Sequence, residues 1–124
     1  MAAANLDILI EQGATFSRTL TIEDSNGAPI DLTGWTFVGK IRALQEDSSA
    51  IGTFSFTILN QVTNKGQVTW SMSATNTLAL PAVVTKSYQR VNYYSLYDIN
   101  ATHADGSVER ILQGTCQISP EVSR

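Results

Sequence analysis

A chain of 124 residues amounts to about one domain, long enough to bury a core without disulfides or a metal. Charged residues make up 15% of it, well under the roughly 25% of an average soluble domain, and serine and threonine interleaved with apolar residues suit a β-rich surface partly covered by neighbours. The formal charge is −3, with eight basic residues scattered along the chain; without clustered cations to neutralise phosphates, nucleic acid is not an expected partner.

Residues 1–5 form a small-residue lead and a candidate flexible arm. Leu6, Ile8, Leu9 and Ile10 then read as a first strand, 6–10, closed by Glu11, Gln12 and Gly13. Asp7 interrupts this apolar run and no basic segment precedes it, so neither a signal peptide nor a membrane span is expected. Phe16, Arg18, Leu20 and Ile22 alternate with Ser17, Thr19 and Thr21 as a second strand. Asp24, Ser25, Asn26 and Gly27 signal a turn, and Pro29 keeps the next residues extended.

The best-patterned stretch follows. Asp31 and Thr33 carry short oxygen-bearing side chains that accept backbone hydrogen bonds, and Gly34 takes a positive φ without strain, so the chain turns over Leu32 and delivers Trp35 into a strand. Trp35, Phe37, Gly39, Ile41 and Ala43 fall on one side of that third strand, and Thr36, Val38, Lys40 and Arg42 on the other. Asp31 is therefore read as a turn former and not as a catalytic acid. After a polar loop over 44–50, Phe54, Phe56 and Ile58 alternate with small polar residues as a fourth strand. Asn64, Lys65 and Gly66 close a hairpin into Val68, Trp70 and Met72, which makes Trp70 a core residue.

Residues 73–80 are the one place for helix, a single turn capped by Ser73 or Thr75, ended by Pro81 and crossing between two sheets. Beyond residues 82–91, which hold Lys86 and Arg90, a run of Tyr93, Tyr94, Leu96, Tyr97 and Ile99 predicts a strand. Asp105 and Gly106 predict a hairpin into strands at 108–113 and 115–118, with Gly114 a bulge between them. Cys116 is the single cysteine; it forms no internal disulfide and reads as a small core residue of a protein made in a reducing compartment. About eight strands and at most one helical turn define an all-β antiparallel sandwich.

No pattern here carries catalysis. His103, the one histidine, lies near Asp105, but a Ser-His-Asp relay requires that loop to face one particular serine. Asp98, Asn100, Thr102 and Glu109 have the oxygen spacing of a calcium loop, yet His103 stands where the sharp turn needs glycine, so a solvated hairpin is expected. Asp31, Asp98 and Glu109 lack the apolar surroundings that raise a carboxylic acid's pKa for glycoside hydrolysis. Tyr88, Tyr93, Tyr94 and Tyr97 suit interface anchoring or stacking on a sugar, with alternation placing about half of them in the core. No catalytic residue, metal ligand or cofactor site is assigned, and no enzyme is expected.

The ordered segments IEQGATFSRTLTI, NGAPIDLTGWTFVGKIR, GTFSFTI, GQVTWSMSATNTLALPA and YSLYDINATHADGSVERILQGTCQISPEVSR cover nearly the whole chain. Together they resemble a family of small phage virion proteins carrying a DLTG motif and, more distantly, the N-terminal immunoglobulin-like domain of phage baseplate upper proteins. The resemblance implies one immunoglobulin-like sandwich domain over 1–124 and a non-enzymatic structural module of the virion, assembled in the host cytoplasm and placed in the tail or baseplate region. A capsid decoration protein and a glycan-binding host-recognition module are the alternatives. Its expected partners are other phage structural proteins and further copies of itself, reached by surface complementarity and by strand addition at open sheet edges. The link between Pro81 and Tyr93 is longer than that family's, so residues 82–92 are read as an inserted contact loop. The interface candidates are Leu6, Ile8 and Ile10 in an N-terminal arm, Lys86, Tyr88, Arg90 and Tyr93 in or beside the loop, and Arg124 in a C-terminal arm.

Overall fold

The computed structural model describes residues 3–43, 49–83 and 91–121. Among these, nine strands and one short helix follow in the order β1 (Ala4–Asn5), β2 (Ile8–Glu11), β3 (Phe16–Thr21), β4 (Thr36–Arg42), β5 (Gly52–Thr53), β6 (Ser55–Ile58), β7 (Gln67–Met72), α1 (Ala74–Leu78), β8 (Tyr93–Thr102) and β9 (Val108–Ser119). They form an immunoglobulin-like sandwich. The larger sheet runs β1-β9-β8-β4-β5, with β2 also on β9, and the smaller runs β3-β7-β6.

The long hairpin β8–β9 is the spine of the larger sheet. Its turn forms where Gly106 takes φ +92° and the Asp105 carboxylate accepts from the Ser107 amide at 2.9 Å and from the Ser107 hydroxyl at 2.7 Å. β4 lies antiparallel on β8, pairing Ile41 with Tyr97, Gly39 with Ile99 and Phe37 with Ala101. The turn before it is built as its residues dictate. Asp31 accepts from the Thr33 amide and hydroxyl at 3.0 and 2.7 Å, Gly34 takes φ +84°, and Leu32 is wholly buried beneath.

Alternation packs the inner faces together. Ile8, Ile10, Ile41, Ile99, Leu112 and Ile118 project from the larger sheet onto Phe16, Trp70 and Met72 of the smaller one. Trp70, 1% exposed, meets Phe16 and Phe54 edge-on with ring centroids 5.2 and 5.0 Å away and lies nearly parallel to Tyr97 at 5.7 Å. Truncating such a ring to alanine costs about 3–5 kcal/mol. A second cluster of Ile22, Leu32, Trp35, Val68 and Ala101 fills the end where the 23–34 loop folds over. α1 follows β7 as a single capped turn, with the Ser73 hydroxyl accepting from the Asn76 amide at 3.2 Å.

Three sequence expectations change. The run 6–10 is not one strand, and residues 4 and 5 are not an arm. β1 and β2 pair parallel with β9, Ala4 opposite Leu112 and Ile8 opposite Cys116, and the chain bends between them at Leu6 and Asp7. Two contacts to distant strands hold the bend: the Asp7 carboxylate takes the Thr115 amide at 3.0 Å, while the Leu6 carbonyl accepts the Tyr97 hydroxyl at 2.6 Å. The run 53–58, read as the fourth strand, divides as well, with Thr53 in β5 and Ser55–Ile58 in β6. β5 pairs with β4 in the larger sheet and β6 with β7 in the smaller, and Phe54 at the crossing donates to the Gly39 carbonyl at 2.9 Å. Finally, Gly114 is no bulge. β9 is continuous, and its register shift falls at Ile111, where Ile99 faces Leu112 and Asn100 faces Arg110.

Candidate protein interface

The outer face of the larger sheet carries the side chains that the core does not take. Its register aligns them in rows: Lys40, Asp98 and Gln113 across β4, β8 and β9, then Arg42, Leu96 and Thr115, and then Tyr94, Gln117 and Leu9 across β8, β9 and β2. An open groove of about 660 Å³ runs over this face, lined among others by Asp7, Lys40, Arg42, Asp98, Arg110 and Gln113. Arg110 Nε stands 3.5 Å from Asp98 Oδ2. The Gln113 side chain accepts from Arg110 at 3.2 Å and donates to Asn5 Oδ1 at 3.1 Å, joining the groove to β1. Asp7 is held below its usual carboxylate value by the hydrogen bond from Thr115. Beside the groove lies an apolar strip of Tyr94, 64% exposed, Leu9, 46%, and Leu96, 39%. An aromatic anchor next to arginine and lysine is the composition that protein interfaces favour.

The sequence candidates fall unevenly around this face. Leu6 is 48% exposed at its edge. Ile8 and Ile10, at 7% and 0% exposure, belong to the core of their own chain and are corrected from interface to packing residues, because the alternation of β2 turns Leu9 outward instead. Tyr93 is half-buried against the core, whereas Tyr94 points out. Lys86, Tyr88, Arg90 and Arg124 lie outside the described residues. Tyr94, Leu96 and Leu9 were the residues to find, and parity was the signal: with Tyr97 and Ile99 facing inward, Tyr93 must face inward and Tyr94 outward.

The candidate chemistry does not converge. His103 stacks on Trp35 with centroids 3.9 Å apart and places Nε2 3.2 Å from Glu109 Oε1, while Asp105 is committed to Ser107. Asp98 faces Arg110 on the outer sheet face and Glu109 faces His103 at the end of the sandwich, so the calcium-loop ladder is not brought together. Among the described residues no group of three or more His, Cys, Asp and Glu side chains is placed to hold a metal ion. Cys116 is wholly buried, and burial pushes its thiol up to about 11. None of the described helices is long and apolar enough to cross a membrane.

No protein-family model matches this chain, and none of the curated proteins is similar to it.

Proposed function

We propose that this chain is a non-enzymatic structural module of a bacteriophage virion, an adaptor of the tail or baseplate region that works by presenting a sheet face to neighbouring subunits. The observation that carries the assembly reading is the outer face of the larger sheet. The sandwich completes its core from its own side chains, yet Tyr94, Leu96 and Leu9 stay exposed beside a groove of mixed charge. Scattered apolar residues on a surface mean little; an in-register strip with an aromatic anchor and flanking cations suits a partner surface. The phage part of the reading rests on the ordered motifs, from the DLTG turn to the ILQGTCQISPEVSR tail, and on the sandwich they resemble.

The test is mass spectrometry of purified particles of the parent phage, followed by a reconstruction in which this chain is traced. Density at the tail, neck or baseplate with Tyr94 and Leu96 covered by a neighbour is the expected result. Density on the capsid lattice makes the chain a decoration protein. Its absence from purified particles overturns the virion reading.

A further inference from the structure

The smaller sheet ends on β3, and the backbone of that strand is open on one side. β3 meets β7 antiparallel from Phe16 opposite Met72 to Thr21 opposite Gln67, and the ladder runs on to the Ile22 amide, which donates to the Gly66 carbonyl at 2.7 Å. Hydrogen-bonded pairs alternate along such a ladder. Leu20, Arg18 and Phe16 therefore bond to β7 as Ile22 does, and Ser17, Thr19 and Thr21 turn their amides and carbonyls to the side where no described strand lies. At six residues β3 is longer than β1, β2 or β5, which end the larger sheet, and longer than β6 at the far side of its own. An exposed row of unpaired amides and carbonyls is a template for another strand.

Residue types sharpen the hazard. From Phe16 to Ile22 the chain combines β-branched, aromatic and hydroxyl side chains with no proline or glycine, the composition of segments that pair edge to edge once they carry no charge. Arg18 is the one charged residue in the three strands of this sheet. It stands opposite Trp70, between Phe16 opposite Met72 and Leu20 opposite Val68, and Trp70, Met72 and Val68 are all buried. Parity thus gives a cation an inward-facing position. Its side chain leaves the core at the sheet edge and stays exposed. The guanidinium carbon lies 4.7 Å from the centre of the Phe16 ring, and Nη1 donates to the Ser17 carbonyl at 2.8 Å. Arg18 therefore covers the ring of its own strand and occupies an acceptor on the open edge.

We propose that Arg18 guards this edge: its charge, held at an inward-facing position of the outermost strand, keeps β3 from pairing with the β3 edge of a second copy. A strand that adds here has to displace Nη1 from the Ser17 carbonyl and lay its backbone against a cation. In an antiparallel pair of two such edges both guanidinium groups come onto the same face of the joined sheet, where like charges repel. Strand addition, one of the two routes expected for assembly, is thereby closed at the longest edge. The outer face of the larger sheet is left for neighbours, whether or not the chain belongs to a virion.

The test is sedimentation velocity of the purified native chain beside Arg18→Val and Arg18→Lys, with circular dichroism to check the fold and hydrogen exchange to locate the contact. Arg18→Val is expected to associate at a concentration about tenfold below that needed by the native chain. In the associated form the Ser17, Thr19 and Thr21 amides are expected to exchange about tenfold more slowly, because the new strand pair protects them. Arg18→Lys, which keeps the charge, is expected to behave as the native chain does. Arg18→Thr, neutral and still β-branched, serves if the valine variant does not fold. A neutral variant that associates no more readily than the native chain overturns the guard, and so does association that leaves those amides unprotected. An Arg18→Lys chain that associates as readily as the neutral variants also overturns it, since the charge is then not what keeps the edges apart. None of these outcomes alters whether the chain is found in phage particles, so the guard and the virion reading fail separately.

Discussion

Gly114 sits where the N-terminal segment bends across β9, and the space for a side chain there is already taken. A Cβ at this position collides with the Leu6 carbonyl and comes 3.1 Å from Asp7 Oδ1. The same carbonyl accepts the Tyr97 hydroxyl at 2.6 Å, so β1, β2 and β8 meet over this glycine. Gly114→Ala is expected to lower stability by about 1–3 kcal/mol, as other overpacking changes do, and urea unfolding measures it. A stability unchanged within about 0.5 kcal/mol would mean that the N-terminal strands do not hold this position. Before the structure is seen, Gly114 reads only as a break between two strands, since a glycine needed for a close approach and a glycine needed for a bulge look identical in sequence. The Asp31 turn differs because its whole mechanism is local: Asp31, Thr33 and Gly34 make all their defining contacts within four residues.

Among the elements, α1 is too short to persist on its own and is held from outside. Gln12, 7% exposed, donates from Nε2 to the Leu78 and Leu80 carbonyls at 3.2 and 2.9 Å, and its Oε1 accepts from the Glu121 amide at 3.0 Å. Thr77, wholly buried, accepts from the Gly13 amide at 3.0 Å and donates to the Ala14 carbonyl at 2.8 Å. One glutamine therefore ties the turn after β2 to the end of the helix and to the end of β9. Gln12→Ala leaves those buried groups without their partner, which costs about 1–3 kcal/mol. Urea unfolding reads the loss, and hydrogen exchange at the Glu121 amide should quicken with it; an unchanged midpoint would mean that the helix is held by packing alone. The helical turn and a cap at Ser73 or Thr75 were legible because capping is a local signal, and the structure selects Ser73. The clamp was not, because Gln12 lies more than sixty residues from the carbonyls it holds.

At the scale of the whole molecule, three carboxylates among the described residues couple the fold to pH. Hydrogen bonds from Thr115, Thr33 and Ser107 hold Asp7, Asp31 and Asp105 below the ordinary value of 3.8. The unfolded chain therefore binds more protons in that range, so their contribution is complete above about pH 4 and is lost as pH falls through the lowered folded values. Cys116 acts at the other limit: its folded value rises from 9.0 to about 11, so stability declines as pH rises between the two. Urea midpoints are expected to be level between about pH 5 and pH 8 and to fall on both sides; a midpoint that rises below pH 3.8 contradicts the turn geometry.

The sequence by itself determined the sandwich class, the inward faces of β3, β4, β6 and β7, the Asp31, Asp24 and Asp105 turns and the capped helical turn. Each depends on periodicity or on side chains bonding to their own neighbours. The tertiary structure decided the parallel docking of β1 and β2, the change of sheet at Phe54, the clamp at Gln12 and the grouping of Lys40, Arg42 and Arg110 with Tyr94 on one outer face. Those depend on pairings between residues far apart in the chain, and alternation says which side a residue faces without saying which strand lies beside it.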